Sequence, residues 1–559
     1  MIRRHYLPSW FVLRLLIVLI IFPIMTVKPS LQTMIGPLTI VGTQPHIVGP
    51  ADALVDRMII NGDLRVISMV TDPLVSGRSH ERLAQFKDGL RIFGSEITRQ
   101  REHGQITSIF GTIHSEINID IVPKLTTQDA IGATSVSDSP TIATELLILH
   151  DQNIRGYRLV YRIQQFSAAG LIVSLVDAHT GGVIRVQNDL KTQAMSLPCN
   201  DCAVGTGRGV KGDQKKISVQ TLGGNFRAYD ALRPPAIITY DMRGDWLGTL
   251  NVLTGAASLT EADVATDSDN DWHDGASVDA HVGAGWFYDY LAHRFERNGL
   301  DGSDGPIVSL VHPVHRNDLF KVPNGIRNLF HLNAFFCATC GPNGLMVYGE
   351  GLPTGFVLQN TGQSVDFFSA GLDIVAHELG HAVTEFTSGL VYEGESGALN
   401  EAFSDLLGVG TEFFMAETGR HKPEQADYLI GEDVLKPGGI RSIADPQSQG
   451  DPDHYSKRFL GNIDNGGVHT NSLIASHAFY LAVEGGINRT SGIQVNGVGS
   501  SNRPQVEQAF YRAFAFLLPA NATFTMARAA TTQSARDLTG SVSGLAETIA
   551  EAWSAVGVE

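Results

Sequence analysis

The sequence has little positive charge, few cysteines and no long uninterrupted apolar run. Its 559 residues include 41 basic and 58 acidic side chains, which gives a formal net charge of −17. This balance excludes the class of nucleic-acid-binding proteins, because those proteins need a basic surface for the phosphates. The hydrophobic fraction of 43% excludes wholesale disorder, and a chain of this length is expected to form three or four domains around more than one core.

The most apolar stretch lies at the N-terminus and carries no charge between residues 15 and 27. Such a run is short for a membrane-spanning helix and is typical of the core of a signal peptide. No small-x-small cleavage site follows it, so an uncleaved membrane anchor remains the alternative. Either way, residues 1–27 predict export of the rest of the chain, with a secreted protein as the leading interpretation.

The four cysteines form two Cys-x-x-Cys pairs, Cys199 with Cys202 and Cys337 with Cys340. In an exported protein disulfides are favoured over free thiols. Two local disulfides, one cross-link between the pairs and a four-cysteine zinc site all remain open. A thioredoxin-like redox role is disfavoured, because neither pair lies in a βαβ pattern.

The hydrophobic pattern divides the chain into a β-rich first part and a helical last part. Alternating segments at 64–70 and 156–163 predict strands, and the segments 171–176 and 183–186 predict a hairpin. Residues 188–212 are polar and contain repeated glycine, which is typical of a domain boundary. Beyond it we expect another β-rich unit with one helix at 278–297. Helices are then predicted at 369–387, 395–414, 471–482 and 504–518.

The helix predicted at 369–387 carries a His-Glu-x-x-His motif, from His377 to His381. Four residues are about one helical turn, so both imidazoles project from one face toward a single point. Glu378 lies beside that point with a carboxylate available for proton transfer. Such a motif by itself also occurs on ordinary helix surfaces. Here Glu401 supplies a third candidate ligand, and Asp405, one turn further, shares its face and can orient a histidine ring. Three protein ligands that leave one position for water are typical of catalytic zinc.

From about residue 204 to residue 558, the chain resembles the thermolysin-like zinc metallopeptidases. The matching blocks occur in the family order, and the looser matches at 89–94 and 176–181 resemble the propeptide of the family. The blocks lie at 204–210, 333–335, 391–392, 397–405, 431–433, 451–456, 464–472 and 552–558.

The resemblance implies a role for each matching residue. His377, His381 and Glu401 are expected to bind zinc, with Glu378 as general base and general acid. Tyr392 and His469 are expected to stabilise the oxyanion, with Asp464 orienting His469. Further matches are expected to bind the substrate backbone, namely Asn333, Arg441 and the carbonyl of Ala334. Taken singly, a core tyrosine, a surface histidine or a surface ion pair would explain several of these residues; their occurrence as a set favours the catalytic interpretation.

The family's pocket for the side chain after the cleaved bond matches four apolar residues, namely Val365, Phe368, Ile374 and Ile440. These predict a preference for a bulky hydrophobic residue at that position. The main calcium site of the family matches four acidic residues, namely Asp373, Glu412, Asp427 and Glu432. Because the family's two-ion version has another acid where this chain has Leu429, we expect one calcium ion there. Asp267 and Asp269 resemble a second calcium site, and a solvated acidic loop is the alternative.

These observations predict an α+β protein with four parts. The first two are a signal peptide or membrane anchor at 1–27 and a propeptide at 28–195, which inhibits the enzyme and assists its folding. The other two are a β-rich catalytic lobe at 199–365 and a helical catalytic lobe at 366–559, with zinc in the cleft between these lobes. We expect a monomeric secreted zinc endopeptidase, made as a zymogen that is cut near residues 190–204. It is expected to cleave peptides on the N-terminal side of bulky hydrophobic residues. A binding protein without catalysis and a hydrolase of small esters or amides are the alternatives.

Overall fold

The computed structural model describes residues 36–134, 136, 139–151, 154, 156–167, 170–188, 201–340, 343–420, 426–540 and 544–559. The residues from Gly36 onward belong to one unit. The N-terminal apolar segment and most of the predicted cleavage region lie outside the described residues. Among the helices in the described ranges, none is both long and apolar enough to cross a lipid bilayer.

The first part of the described chain is built on a mostly antiparallel nine-stranded sheet. Its central path runs β1-β5-β4-β6-β7-β8-β9, and β3 connects β2 to β4. The strands are β1 Gly36–Gly42, β2 Leu64–Thr71, β3 Arg78–Lys87, β4 Leu90–Glu102, β5 Gln105–Ser115, β6 Thr141–Asp151, β7 Gly156–Ser167, β8 Gly170–Asp177 and β9 Val183–Asn188. The predicted hairpin is present, since β8 and β9 pair antiparallel with Ser174 opposite Val186. Asp177 closes its turn by accepting hydrogen bonds from the N–H groups of His179 and Thr180.

Two helices accompany this sheet, α1 Pro45–Asn61 and α2 Thr127–Gly132. The sequence pattern did not predict α1, because Gly49 and Pro50 interrupt its apolar spacing. The helix nevertheless forms, because Val55 is fully buried in an apolar cluster with Leu83 and Ile109 of the sheet. Tertiary packing overrides the weak local signal here.

The second part contains two five-stranded sheets and three helices. One sheet has the order β15-β12-β11-β10-β16 and the other the order β13-β14-β17-β19-β18. Their strands are β10 Cys202–Arg208, β11 Gln214–Leu222, β12 Asn225–Arg227, β13 Tyr229–Asp230, β14 Ile237–Asp241, β15 Thr266–Asp267, β16 Asp271–Trp272, β17 Ile307–Val311, β18 Ala334–Cys337 and β19 Leu345–Tyr348. A further short strand, β20 Ser364–Val365, lies outside these two sheets. The helices are α3 Trp246–Leu253, α4 Gly275–Phe295 and α5 Asn324–Phe330. Strand β18 ends its sheet, so one of its edges is left without a partner strand in that sheet.

The last part is helical, as predicted. Its helices are α6 Leu372–Glu385, α7 Gly394–Glu417, α8 Asp464–Glu484, α9 Arg503–Arg512, α10 Phe524–Thr539 and α11 Leu545–Ala555. The loops between these helices contain short strands, namely β21 Leu429–Ile430, β22 Leu435–Lys436, β23 Arg441–Ser442, β24 Gly486–Ile487 and β25 Gln494–Val495. The helix predicted at 504–518 is α9 followed by one π-helical turn at Ala513–Leu517. The α+β class with a β-rich first half is therefore confirmed.

Helices α6 and α7 pack closely together, and α6 also contacts the edge strand β18. The close approach of the two helices depends on Gly380, because a Cβ there would lie 3.0 Å from the backbone Cα of Ser404. This packing brings the His-Glu-x-x-His motif next to Glu401 and beside β18.

The described cysteines are paired. Cys337 and Cys340 form a local disulfide at the end of β18, and Cys202 is also disulfide-bonded. The cross-link between the pairs and the four-cysteine zinc site are therefore wrong. Cys199 lies outside the described residues.

Candidate active site

Three side chains from two helices converge on one point. His377 and His381 lie on α6 and Glu401 on α7, with ligand atoms within 4.8 Å of one another. His377 Nε2 lies 3.5 Å from one Glu401 oxygen, and His381 Nε2 lies 3.4 Å from the other. Glu401 is fully buried, and all three residues line one cleft. The three predicted zinc ligands are thus brought together by the fold.

The other ring nitrogen of each histidine is held by α7. His377 Nδ1 lies 2.9 Å from Asp405 Oδ1, and His381 Nδ1 lies 2.8 Å from Asn400 Oδ1. These contacts leave both Nε2 atoms directed at Glu401, which is the orientation that a metal-binding imidazole needs. Two imidazoles and one carboxylate are also the donor set of catalytic zinc sites, so these residues fit a Zn²⁺ ion. Sequence reasoning missed Asn400, although it directly precedes Glu401.

Burial and the neighbouring histidines shift the pKa values of the glutamates at this site in opposite directions. Burial disfavours the charged form of Glu401, but His469, His377 and His381 together hold the pKa of its carboxyl well below the usual range. For Glu378 burial dominates and raises the pKa to about 7. Glu378 lines the cleft and accepts a hydrogen bond from the backbone of Phe336 on β18.

A second group of polar side chains faces Glu401 across the cleft. The Tyr392 hydroxyl donates a short hydrogen bond to Glu401 and lies 3.2 Å from His469 Nε2. His469 Nδ1 lies 2.6 Å from Asp464 Oδ1. The chain reaches this geometry through a left-handed turn, from Asp464 to Gly467, at the start of α8. At Gly467 a Cβ would also lie 2.7 Å from Phe459, so a side chain there is excluded.

Arg441 is buried, and its guanidinium contacts carboxylates. Its Nε and Nη2 lie 2.9 and 2.6 Å from the two Asp405 oxygens, and Nη2 lies 3.5 Å from Glu401. These contacts raise the pKa of Arg441 despite its burial. Arg441 also lines the cleft.

The cleft has a volume of about 560 Å³. Three of the four residues predicted for the hydrophobic pocket line it, namely Phe368, Ile374 and Ile440, together with the predicted backbone-binding residues Asn333 and Ala334. Val365 is 3% exposed and is not among the side chains found to line the cleft in the described structure. Sequence reasoning missed Leu435, which lines the cleft and belongs to the strand that pairs with β20.

The acidic residues predicted for the main calcium site form a compact group only in part. Carboxylate oxygens of Glu412, Glu432 and Asp433 lie within 4.8 Å of one another, and Asp433 was not predicted. Burial, followed by repulsion from Asp373, raises the pKa of Glu412 well above its usual range and that of Glu432 to about 9.

The remaining predicted calcium ligands bind backbone groups of the protein. Asp373 accepts hydrogen bonds from the N–H groups of Ile374 and Gly431, and Asp427 accepts one from Leu429. Asp267 accepts from Asp269 and Asn270. Within the described ranges, Asp267 and Asp269 belong to no compact group of three ligating side chains.

Comparison with known proteins identifies the family. Residues 204–385 match the family description "Thermolysin metallopeptidase, catalytic domain", and residues 388–558 match its "alpha-helical domain". Residues 62–113 match the "Fungalysin/Thermolysin Propeptide Motif". The boundary between the first two matches falls between α6 and α7, so the three metal-binding candidates come from both domains.

Whole-length relatives agree. The chain is 35% identical to the thermostable neutral protease NprT of Geobacillus stearothermophilus, over 89% of this chain and 86% of that protein. It is 35% identical to a thermolysin of Alicyclobacillus acidocaldarius, with the same coverage. It is 37% identical to a bacillolysin of Bacillus cereus, over 88% of this chain and 84% of that protein. The family implies catalytic zinc, and His377, His381 and Glu401 supply its donor set. The chain therefore belongs to the thermolysin family of metalloendopeptidases and carries the propeptide motif of their zymogens.

Proposed function

We propose that the protein is the zymogen of a secreted endopeptidase that cleaves peptide bonds on the N-terminal side of bulky hydrophobic residues. The proposal depends mainly on one observation: the carboxyl group of Glu378 lines the same cleft as His377, His381 and Glu401. A proton-transfer group beside a metal site with an open side is the arrangement that hydrolysis requires.

The free edge of β18 supports the binding of an extended peptide. A substrate strand can add to such an edge through main-chain hydrogen bonds. Asn333 and Ala334 lie at the start of that strand and line the cleft. Arg441 lies across the cleft, where it would bind a substrate carbonyl while its contacts with Asp405 hold the guanidinium in place. These positions favour a peptide over a small ester or amide.

Each catalytic role follows from a contact in the cleft. A bound Zn²⁺ would lower the pKa of a water molecule and polarise the scissile carbonyl. Glu378 would accept the proton of the attacking water and deliver it to the leaving nitrogen. The Tyr392 hydroxyl and His469 Nε2 would donate hydrogen bonds to the oxyanion. Asp464 would hold a proton on His469 Nδ1 and stabilise the imidazolium form, in which Nε2 also carries a proton and can donate the hydrogen bond.

The cleft wall supports the proposed side-chain preference. Phe368, Ile374 and Ile440 present apolar surface next to the site, and Leu435 adds to it. Burying a leucine or phenylalanine side chain instead of leaving it in water is worth about 1.5–3 kcal/mol, which corresponds to a gain in binding of roughly 10- to 150-fold. Val365 would support this wall through its pairing with Leu435 and would not contact the substrate directly.

The first sheet contacts both parts of the catalytic unit, which supports an inhibitory role for residues 28–195. Phe166 of β7 and Leu171 of β8 share a buried cluster with Phe335 of the edge strand. On the helical side, Arg185 forms an ion pair with Glu393, next to Tyr392. A propeptide held next to Phe335 and Tyr392, which both line the cleft, would restrict access to the cleft until the propeptide is released. The β-rich catalytic lobe would span residues 199–365, and the helical catalytic lobe would span residues 366–559.

The buried acidic group supports one structural calcium ion. Glu412, Glu432 and Asp433, with Asp373 beside them, place several carboxylates together where burial disfavours their charge. A hard divalent cation with oxygen ligands would offset that repulsion. Asp427 would contribute a ligand at the edge of the group. The loop with Asp267 and Asp269 has no comparable support, so a second ion there rests on sequence resemblance alone. The role of residues 1–27 as signal or anchor, the secretion and the monomeric state are proposed on the same basis.

The decisive experiment compares Glu378→Gln with the parent chain in a casein digestion assay. We expect Glu378→Gln to bind zinc at the parent stoichiometry and to lose activity by at least about two orders of magnitude. If maturation is self-catalysed, it should also remain uncleaved at residues 190–204. Glu385→Gln, an exposed substitution on the same helix, is the matched control and should retain activity. Casein digestion by the parent that persists after zinc is chelated would contradict the proposal.

A further inference from the structure

A second group of metal-ligating side chains lies in the β-rich part, outside the catalytic cleft. His312, His315 and Glu350 place their ligand atoms within 4.8 Å of one another. His312 Nδ1 lies 2.6 Å and His315 Nδ1 lies 3.1 Å from the same oxygen, Glu350 Oε1. We call these three residues, with Asp274 beside them, the His312 cluster. Its donor set is that of the catalytic site, namely two imidazoles and one carboxylate.

The groups behind these donors are also arranged as in a metal site. His312 Nε2 lies 3.0 Å from Asp274 Oδ1, so a carboxylate holds the ring nitrogen that faces away from Glu350. The second oxygen of Glu350 accepts a hydrogen bond of 2.7 Å from the N–H of Arg316. A carboxylate behind a ligating imidazole fixes the tautomer and increases ligand basicity. Asp405 has the same relation to His377 in the catalytic site.

The backbone holds the two histidines in place. His312 directly follows β17 and has a φ of 55°, a conformation that is uncommon for any residue except glycine. The His315 ring lies against Gly244, where a Cβ would come within 2.6 Å of the ring. Glu350 is 4% exposed, whereas the His315 side chain is 52% exposed. The cluster is therefore a fixed group with one open side to solvent.

We propose that the His312 cluster binds a second Zn²⁺ ion, with His312 Nδ1, His315 Nδ1 and a Glu350 oxygen as ligands and water completing the coordination. Bonds of about 2.0–2.1 Å in a tetrahedral arrangement separate ligand atoms by roughly 3.4 Å. The present separations of 2.6 and 3.1 Å require only small side-chain shifts to reach that value. Imidazole and carboxylate ligands favour zinc and similar transition metals over calcium.

The position of Glu350 connects this site to the cleft wall. The preceding residue, Gly349, donates a hydrogen bond to the Asn333 carbonyl and accepts one from the Phe368 N–H. A metal ion that fixes Glu350 would therefore also fix the segment that holds two residues of the proposed substrate cleft.

The test is a zinc count on the full-length chain in a Glu378→Gln background, which prevents self-digestion. After equilibration with micromolar free Zn²⁺ and removal of excess, elemental analysis should find two zinc ions per chain. His315→Ala should reduce the count to one, and His381→Ala should also reduce it to one by emptying the catalytic site. His103→Ala, an exposed histidine outside the cluster, should leave the count at two.

Titration calorimetry with Zn²⁺ provides a second measurement with the nearly isosteric variant Asp274→Asn. It should retain both sites and weaken one of them by about 10- to 100-fold, because Asp274 is a positioning residue. The proposal is overturned if His315→Ala binds as many zinc ions as its Glu378→Gln parent, or if Asp274→Asn binds zinc as tightly as its parent. A single zinc lost in His381→Ala and kept in His315→Ala would overturn this proposal alone. A single zinc that is lost in His315→Ala and kept in His381→Ala would overturn the proposed catalytic site alone.

Discussion

A buried ionic group joins the proposed propeptide to the helical part of the enzyme. Arg512 of α9 is fully buried, and its Nε and Nη2 lie 2.8 and 2.7 Å from Asp72 Oδ2. The same guanidinium lies 2.7 Å from Gln100 and 2.8 Å from Asp537. Asp537 in turn contacts Arg78 at 2.5 Å. Asp72, Arg78 and Gln100 belong to the propeptide side, whereas Arg512 and Asp537 belong to the catalytic side.

The substitution Asp72→Asn tests this interface with little change in shape. Asp72 Oδ1 accepts hydrogen bonds from the N–H groups of Leu74 and Val75, and an asparagine oxygen can retain both. The change removes the charge at Oδ2 and leaves two arginines to share Asp537. Breaking a buried ion pair by removing one partner costs about 3–5 kcal/mol. The cleaved propeptide should therefore dissociate with a Kd that is roughly 150- to 4,000-fold higher.

The assay follows the release of the propeptide after cleavage. Glu378→Gln zymogens with and without the Asp72→Asn substitution are cleaved by a trace of active enzyme, and the dissociation of the propeptide is measured by size-exclusion chromatography across a dilution series. Asp88→Asn is the matched control, because Asp88 is exposed and forms its ion pair with the neighbouring, partly exposed residue Lys87. Equal dissociation of the Asp72→Asn and parent complexes would refute the assignment of the ionic group as a principal anchor.

Three further outcomes are expected. His80 stacks on Phe516 and contacts Asp72, and burial lowers the pKa of its imidazole in the folded zymogen. Because the folded pKa is lower than the unfolded value of about 6.5, the contribution of His80 to stability is complete above about pH 6.5 and is lost as the pH falls below it. Thermal unfolding of the Glu378→Gln zymogen should therefore shift to lower temperature below about pH 6.5 more strongly than that of a His80→Gln variant, and parallel curves would contradict this. Replacing both Cys337 and Cys340 by serine should lower the free energy of unfolding by at most about 2 kcal/mol, because the loop that the disulfide closes is very short. The same replacement should raise KM if the disulfide stiffens β18, and an unchanged KM and heat resistance would count against that role. Ile440→Asp should reduce cleavage before leucine by at least about tenfold while leaving zinc content unchanged, and a peptide library that shows no change in preference would argue against the proposed pocket.

Some features of the site required the folded structure. Asn400 holds the ring of His381. The sequence position of Asn400 beside Glu401 does not indicate this role, because the contact depends on how α7 lies against α6. Asp433 joins Glu412 and Glu432, whereas Asp373 and Asp427 bind backbone N–H groups, and only the loop conformation decides which acids converge. Val365 is apolar like the other predicted pocket residues, yet its side chain is buried and is not among those that line the cleft in the described structure.

The sequence by itself determined the chemistry and the class of fold. A spacing of four residues on a helix is sufficient to bring His377 and His381 to one face, because the helical period is local. Alternating and helical periodicities likewise identified the β-rich and helical parts. The tertiary structure decided the contacts between residues far apart in the chain, such as Arg512 with Asp72 and His312 with Glu350, and it placed Phe166 and Phe335 in one buried cluster. No local pattern encodes these contacts, because they arise only when separate elements bury their apolar faces against each other and bring charged side chains along with them.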